Sequence, residues 1–406
     1  MSYAASISVT RINWTVRSVH LVFAGMGFSF ASWASRIPQV RTELVMNPAQ
    51  FGLVLLCMSV GALLGIPLSG AVVSRIGAAR TVTASVALLA AGLALVAAGT
   101  SSSAGCSVVL VAIGLLVFGA GSGVCDVAAN VQGAEVERIL RRSVLARFHA
   151  AYCVGTVAGA GLAALLIATG VTVVVHLLVT AVLIALVMPA SALRGFLTHQ
   201  PPSAEHPSNG AALRAWRERR TLLIGVFVLC MAFTEGTGYD WLSQAIISGY
   251  RTPVAVGTVE LAVFMTAMTL GRWFGPRLLD RYGRVPVLRG CALLALGGVL
   301  LVVFGGLLPV AVIGAVLWGC GTALGFPTGI SAASDDQHLA AARVTVATSI
   351  GYLAFLGGPP LIGEVANHVE VRSALLVVAV LLFIALLTSR VCARRGPAPR
   401  NDQRST

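Results

Sequence analysis

The sequence predicts an all-α membrane protein, with twelve transmembrane helices in two pseudo-symmetric six-helix bundles. Three observations predict it. The 406-residue chain is 57% hydrophobic and 11% charged, whereas soluble domains carry about 25% charged residues. It divides into twelve apolar runs, each near the roughly 20 residues that a bilayer-spanning helix needs. A loop motif that follows the second run returns after the eighth, about half the chain later.

The runs are 17–36, 49–73, 81–99, 106–132, 147–168, 171–193, 221–246, 254–274, 286–305, 309–333, 343–365 and 371–391. The first lacks a small-residue cleavage site and is expected to stay as a helix. All connections are short except 194–220, "RGFLTHQPPSAEHPSNGAALRAWRERR", whose Pro/Ser-rich middle reads as a linker. The expected organisation is a first bundle at 1–193, a linker at 194–220, and a second bundle at 221–406 ending in a short tail.

Charge sets the orientation. The net charge of +13 first suggests a nucleic-acid partner, but the basic residues cluster in short loops between apolar runs, which excludes that reading. All 28 are arginine, and with the first segment placed inside, only Arg36, Arg41, Arg251 and Arg372 fall at the outer ends. The remaining 24 lie at the inner ends, so both termini are expected in the cytoplasm, with the chain in the inner (plasma) membrane. An even number of spans follows. Of the eight cysteines, seven lie in apolar runs and no CxxC pair occurs. They read as small packing residues, with no disulfide framework and no metal cluster.

The repeat links "GAVVSRIGAARTV" (Gly70–Val82) with "GPRLLDRYGRVPVLR" (Gly275–Arg289). Arg75 and Gly77 correspond to Arg281 and Gly283 at an offset of 206 residues. More weakly, the fifth and eleventh runs share glycine-rich segments, "GTVAGAGLAALL" and "GYLAFLGGPPLIGEV". Two similar six-helix halves suit a transporter in which two bundles rock about a midplane site.

These loops resemble the signature of the major facilitator superfamily: a glycine, three residues, then Asp-Arg-x-Gly-Arg. The resemblance implies a gating role for Arg75, Gly77, Asp280, Arg281, Gly283 and Arg284. It also implies that the Asp and Arg pair with neighbouring helix ends. The first copy departs from the signature with Ser74 at the Asp position, and the second has Pro276 at a glycine position. More narrowly, "FASWASRIPQVR", "DVAANVQGAEVER", "RFHAAYCVGT", "EGTGYDW" and "SIGYLAFLGGPPLIG" resemble a bacterial branch near the fucose-permease-like carriers. In fucose-type permeases the fourth helix carries a Glu-x-Ala-Ala-Asn segment whose glutamate takes part in proton coupling. Asp126-Val127-Ala128-Ala129-Asn130 matches it with Asp for Glu. The first run lacks the acidic residue such permeases carry and offers only Ser29, Ser32 and Ser35.

Asp126 is the leading candidate for proton coupling. An aspartate at the centre of a spanning helix costs about 2.5–3.5 kcal/mol on insertion scales, and protonating one at pH 7 costs about 4 kcal/mol. The two costs are close, so a change of hydration or of partner tips the group either way. Gly119, Gly123, Asp126 and Asn130 share a helix face. The competing readings are a polar packing group, or a carboxylate near the headgroups. In the seventh run, "FTEGTGYDWLSQ", Glu235 and Tyr239 are i, i+4 neighbours. Glu235 is a second proton- or solute-binding candidate. Asn130, Tyr239, Trp241, Ser32 and His149 are solute-binding candidates. Trp241 equally suits an interfacial anchor, His149 a helix-end cap, and Asp240 a partner for Arg251. Arg36 and Arg272 are expected to snorkel or to pair with acidic loop residues.

No GxxxxGK[ST], HExxH or GxSxG occurs, so neither nucleotide-driven nor enzymatic chemistry is expected, and no cofactor. The expected function is proton-coupled symport of a small polar, sugar-like solute across the lipid bilayer. Proton-driven efflux of lipophilic compounds and a non-transporting membrane sensor are the alternatives.

Overall fold

At bilayer depth no water is available to backbone groups, so apolar segments satisfy their own N–H and C=O groups by coiling into helices. The computed structural model describes residues 9–101, 107–140, 144–197, 214–335 and 340–393. Most of the predicted linker and all of the tail beyond residue 393 lie outside them. Among the described residues there are helices and no strands.

The spans, numbered in chain order, begin with the first at Val9–Ala34, the second at Pro48–Ile76 and the third at Ala78–Ser101. The fourth is Ser107–Leu140, the fifth Leu145–Ala168 and the sixth Val173–Gly195. The seventh is Arg219–Tyr250, the eighth Val254–Tyr282 and the ninth Arg284–Phe304. The tenth is broken, Leu308–Thr322 and then Gly325–Ala333. The eleventh is Ala340–His368, and the twelfth runs in pieces from Val371 to Cys392. Eleven of these are long and apolar enough to cross a membrane. The first, 26 residues long, falls outside that set, since Arg17, His20 and several serines dilute its hydropathy.

Several helices outrun their apolar windows, for local reasons. The fourth continues to Leu140, where Arg138 pairs with Glu135 one turn back at 2.5 Å. The polar end of the first ties down the sixth. Arg11 donates to the Arg194 and Phe196 carbonyls at 2.6 and 3.0 Å, and Thr15 to the Gly195 carbonyl at 2.7 Å. Those are the orphan carbonyls of a helix end. Between the first two spans lies an unpredicted short helix, Ile37–Glu43. Arg36 at its start corrects the snorkelling expectation. It is fully buried and donates to His176 Nδ1 at 2.9 Å, to Gln39 Oε1 at 2.5 Å and to the Val171 carbonyl at 2.9 Å.

Helix association in lipid depends on close backbone approach, and here the approaches repeat. A Cβ at Gly119 would strike the Met58 carbonyl and Ala62, and one at Gly319 the Phe264 carbonyl and Met268. Gly121 backs onto Ser85 and Leu89, and Gly321 onto Cys291 and Ala295. Gly92 and Gly114 face each other, as do Gly298 and Gly314. Within each correspondence the second or third span maps onto the eighth or ninth at the same 206-residue offset as the loop motif. The two six-helix bundles are thus pseudo-symmetric down to individual glycine contacts. The bundles meet where the second span packs on the eleventh and the fifth on the eighth.

The loop motif itself is one turn made twice. Gly77 and Gly283 end the second and eighth spans with φ, ψ of 85°, 157° and 81°, 168°. Their amides bond back to the Val73 and Leu279 carbonyls at 2.9 and 3.0 Å. That backbone region is essentially open only to glycine. Gly283→Ala is therefore expected to cost about 1–3 kcal/mol. Gly290→Ala, in open space inside the ninth span, should be neutral or slightly stabilising. Thermal unfolding of the purified protein in detergent checks this, and equal shifts for the two variants would refute it.

Candidate functional site

Two polar constellations face each other in the middle of the bundle. In the first bundle Asp126 lies near the middle of the 34-residue fourth span. Asn130, one turn on, donates to Asp126 Oδ1 at 3.0 Å and to the Asp126 carbonyl at 2.9 Å. Its own amide oxygen lies 3.2 Å from His149 Nε2 on the fifth span. The imidazole rests edge-on against Phe23 of the first span at 5.0 Å. Gly119 and Gly123, on the Asp126 face, press against the second span as far as Met58 and Ala62. The helix can approach its neighbour there and still leave Asp126 and Asn130 partly accessible.

In the second bundle Glu235 and Arg272 form an ion pair of 2.6 Å between the seventh and eighth spans. Tyr239 donates to Glu235 Oε1 at 3.4 Å and packs edge-on against Phe30 of the first span at 5.1 Å. The break in the tenth span also contributes. Arg272 Nε donates at 3.3 Å to the carbonyl of Ala323, the residue at that break. Its Nη1 lies 3.8 Å from Cys153 Sγ of the fifth span, so the guanidinium touches both bundles. His149, which meets Asn130, and Cys153, which meets Arg272, are one turn apart on the fifth span, so the two constellations lie beside each other where the bundles meet.

The structure brings together Asp126, Asn130 and His149 on one side, and Glu235 and Tyr239 on the other. Ser32 and Trp241 stand apart. Ser32 is fully buried, and its hydroxyl has no partner among the described residues. Trp241 is buried edge-on against Phe51 of the second span at 6.2 Å. That contact belongs to the arginine-poor end, where the bundles close on each other. There Gly52 backs onto the Pro359 carbonyl, and Gly363 onto the Pro48 carbonyl. Thr258 also reaches the Ser35 carbonyl at 3.5 Å.

At the arginine-rich end, Arg75 and Asp280 are exposed and make no bond among the described residues. Arg281 lies over the Tyr282 ring at 5.3 Å. Gly77 and Gly283 form the turns already described. Arg284 binds Asp335 at 2.7 Å and Ser331 at 2.9 Å, and Arg220 joins Asp335 at 3.2 Å. This clasp ties the seventh, ninth and tenth spans within one bundle. Asp240 does not bond Arg251, which instead caps the seventh span in a left-handed conformation, φ 52°.

Arg272 is the principal residue the sequence reading misplaced: it pairs with an acid inside the bundle, not in a loop. One signal pointed to it. Glu235 and Arg272 lie at similar distances on either side of the hairpin loop 251–253, so antiparallel helices bring them to one level.

Two pseudo-symmetric helical bundles with a charged, partly accessible centre define a membrane transporter. The chain belongs to the Major Facilitator Superfamily, whose profile matches residues 19–357 and again 261–406. This membership places it among multi-pass transporters and not among enzymes. An uncharacterised MFS-type transporter of Yersinia pestis is 32% identical over 93% of this chain and 95% of its own. In fold, the nucleoside transporter NupG is similar with a TM-score of 0.73 at 13% identity, covering 94% of this chain and 98% of NupG. A variant of the E. coli fucose:proton symporter FucP gives 0.65 at 17%, covering 94% and 98%.

The ion pair makes a stability prediction. Arg272→Met strands a carboxylate at mid-bundle, at a cost of up to about 3–5 kcal/mol. The double variant Glu235→Gln/Arg272→Met should regain more than half of that loss. Unfolding midpoints of the purified parent and the two variants decide it; Arg272→Met as stable as the parent would count against the pair.

Proposed function

We propose that the protein is a proton-coupled carrier that moves a small polar, sugar- or nucleoside-like solute by alternating access. One observation carries the reading. The Asp126 carboxylate lies beside the meeting of the two bundles and, among the described residues, bonds only to a neutral side-chain amide, while the second acid, Glu235, is neutralised by Arg272. A carboxylate without a cation changes its protonation with its hydration, and alternating access changes hydration. Support also comes from the printed activities of the fold relatives, a nucleoside transporter and a fucose:proton symporter.

In this reading the rocking units are residues 1–193 and 221–406, joined by a linker at 194–220. The solute lies between Asn130, His149 and Tyr239, whose hydroxyl, amide and imidazole groups suit a neutral polyhydroxylated molecule. The conformation is closed at the arginine-poor end by Phe51 and Trp241, and Trp241 reaches solute only when that end opens. The arginine-rich end faces the cytoplasm of the inner membrane, which puts both termini inside. Arg75, Asp280 and Arg281, unpaired with the other bundle here, would form the gate when that end shuts, supported by the Arg284–Asp335 clasp.

The test is transport into liposomes under an imposed proton gradient, screening labelled sugars and nucleosides. The parent should concentrate its solute when the gradient is applied. Asp126→Asn should lose gradient-driven accumulation by at least about tenfold while keeping solute exchange at equal pH on both sides. Normal accumulation by Asp126→Asn would remove the coupling role from this residue.

A further inference from the structure

The eighth span carries another acid, Glu260, outside the central constellations. Its side chain is 2% exposed, and among the described residues neither carboxylate oxygen has a hydrogen-bond partner. Helical spacing sets it on one face with Gly257 and Phe264. Gly257 backs onto the Ser243 carbonyl and Ile247 of the seventh span. The Phe264 ring packs on Gly238, lies 5.8 Å from Tyr239, and is 5.6 Å from Trp318 of the tenth span. Glu260 is therefore shut into the seam of the seventh, eighth and tenth spans. Ser243, on the same seam, also has an unpartnered hydroxyl.

The titratable and charged groups around this seam are otherwise engaged or make no bond to Glu260. On the seventh span, Glu235 is held by Arg272, Tyr239 donates to Glu235, and Tyr250 donates to the Val302 carbonyl at 2.7 Å. Asp240, one turn before Ser243 on the seventh span, is partly buried and makes no bond to Glu260 among the described residues. On the tenth span, Cys320 gives its thiol to the Ala267 carbonyl at 3.5 Å. On the fifth, Cys153 meets Arg272. None of these bonds Glu260. An ionised carboxylate here would give up its hydration and gain neither an N–H nor a cation, a cost of several kcal/mol even after relaxation. The neutral acid avoids most of it.

We propose that Glu260 is a proton-binding site of the second bundle, which holds its proton while the seam is shut and exchanges it when the seventh and eighth spans part. Those spans also carry Glu235, Tyr239 and Arg272. A change in the packing around Glu260 is thus transmitted along rigid helices to the ion pair. The proposal concerns an acid distinct from Asp126 and stands whether or not a proton gradient drives transport.

Two measurements test it on the full chain in liposomes. A lipophilic carbodiimide adds to protonated carboxyl groups in apolar sites, and peptide mass spectrometry locates the adduct. At neutral pH, Glu260 of the parent should be labelled at least about tenfold more than the exposed Glu370. In infrared spectra, the carbonyl stretch of an un-ionised acid should be present in the parent and in Asp126→Asn, and weakened in Glu260→Gln. Absence of adduct at Glu260, or an unchanged band in a folded Glu260→Gln, would overturn the proposal. Loss of labelling on adding sodium at constant pH would also overturn it, in favour of a metal cation. If Glu260→Gln does not fold, labelling of the parent decides alone. Failure of the gradient-driven transport assay would leave these readouts untouched.

Discussion

Everything in this structure depends on how closely its helix backbones can approach. Lipid chains are as apolar as leucine, so burying apolar surface gives helices little reason to associate in a bilayer. Contact has to come from shape. At Gly119 and Gly319 the facing backbone occupies the space that a methyl group would need, so dispersion contacts accumulate along whole helices. The repetition of these contacts in both bundles means that each is held internally by the same rigid joints. Between the bundles the joints are fewer, at Gly52, Gly363 and the span pairs second–eleventh and fifth–eighth. A molecule rigid within its halves and lightly joined between them has its softest motion at the junction.

The central charges lie across that junction. Arg272 is bound to Glu235 and Ala323 in its own bundle yet also touches Cys153 of the other. The Ala323 carbonyl is open to a side chain because the residue four on, Pro327, has no N–H to give it. The residue that neutralises Glu235 is thereby positioned by an irregularity in a third helix. Broken helices lining a cavity recur where transporters bind their cargo.

The helical class, the bundle repeat and the turn glycines were legible in the sequence because they rest on local or periodic signals. Apolar runs, arginine spacing and a shared offset are properties of the chain itself. Gly77 and Gly283 were legible as a pair, and the structure adds the backbone reason for them. Asp126 and Asn130 were legible because both lie on one helix. Arg272 was legible only through the hairpin that sets it level with a partner 37 residues away, because apolar windows by themselves carry no register between helices. Glu260 was missed. One acid near the start of a span looks like an interfacial residue until packing shows it enclosed on every side. Trp241 illustrates a third limit: an indole suited to stacking is equally suited to closing the arginine-poor end, and sequence does not record which side of the helix meets Phe51.

The three acids then differ in a way that burial alone does not explain. Among the described residues Glu235 has a cation, Asp126 has an amide, and Glu260 has no partner. An acid paired with arginine keeps its charge at modest cost, because the guanidinium returns most of the hydration it lost. An acid with only an amide is held less firmly, and one with no partner keeps its charge only if water reaches it. The order Glu235, Asp126, Glu260 is thus one of increasing sensitivity to local opening. It also runs from the ion pair that touches both bundles to the seam sealed within one. Motion between the bundles bears on the Arg272–Cys153 contact, whereas the surroundings of Glu260 change only if spans part within one bundle.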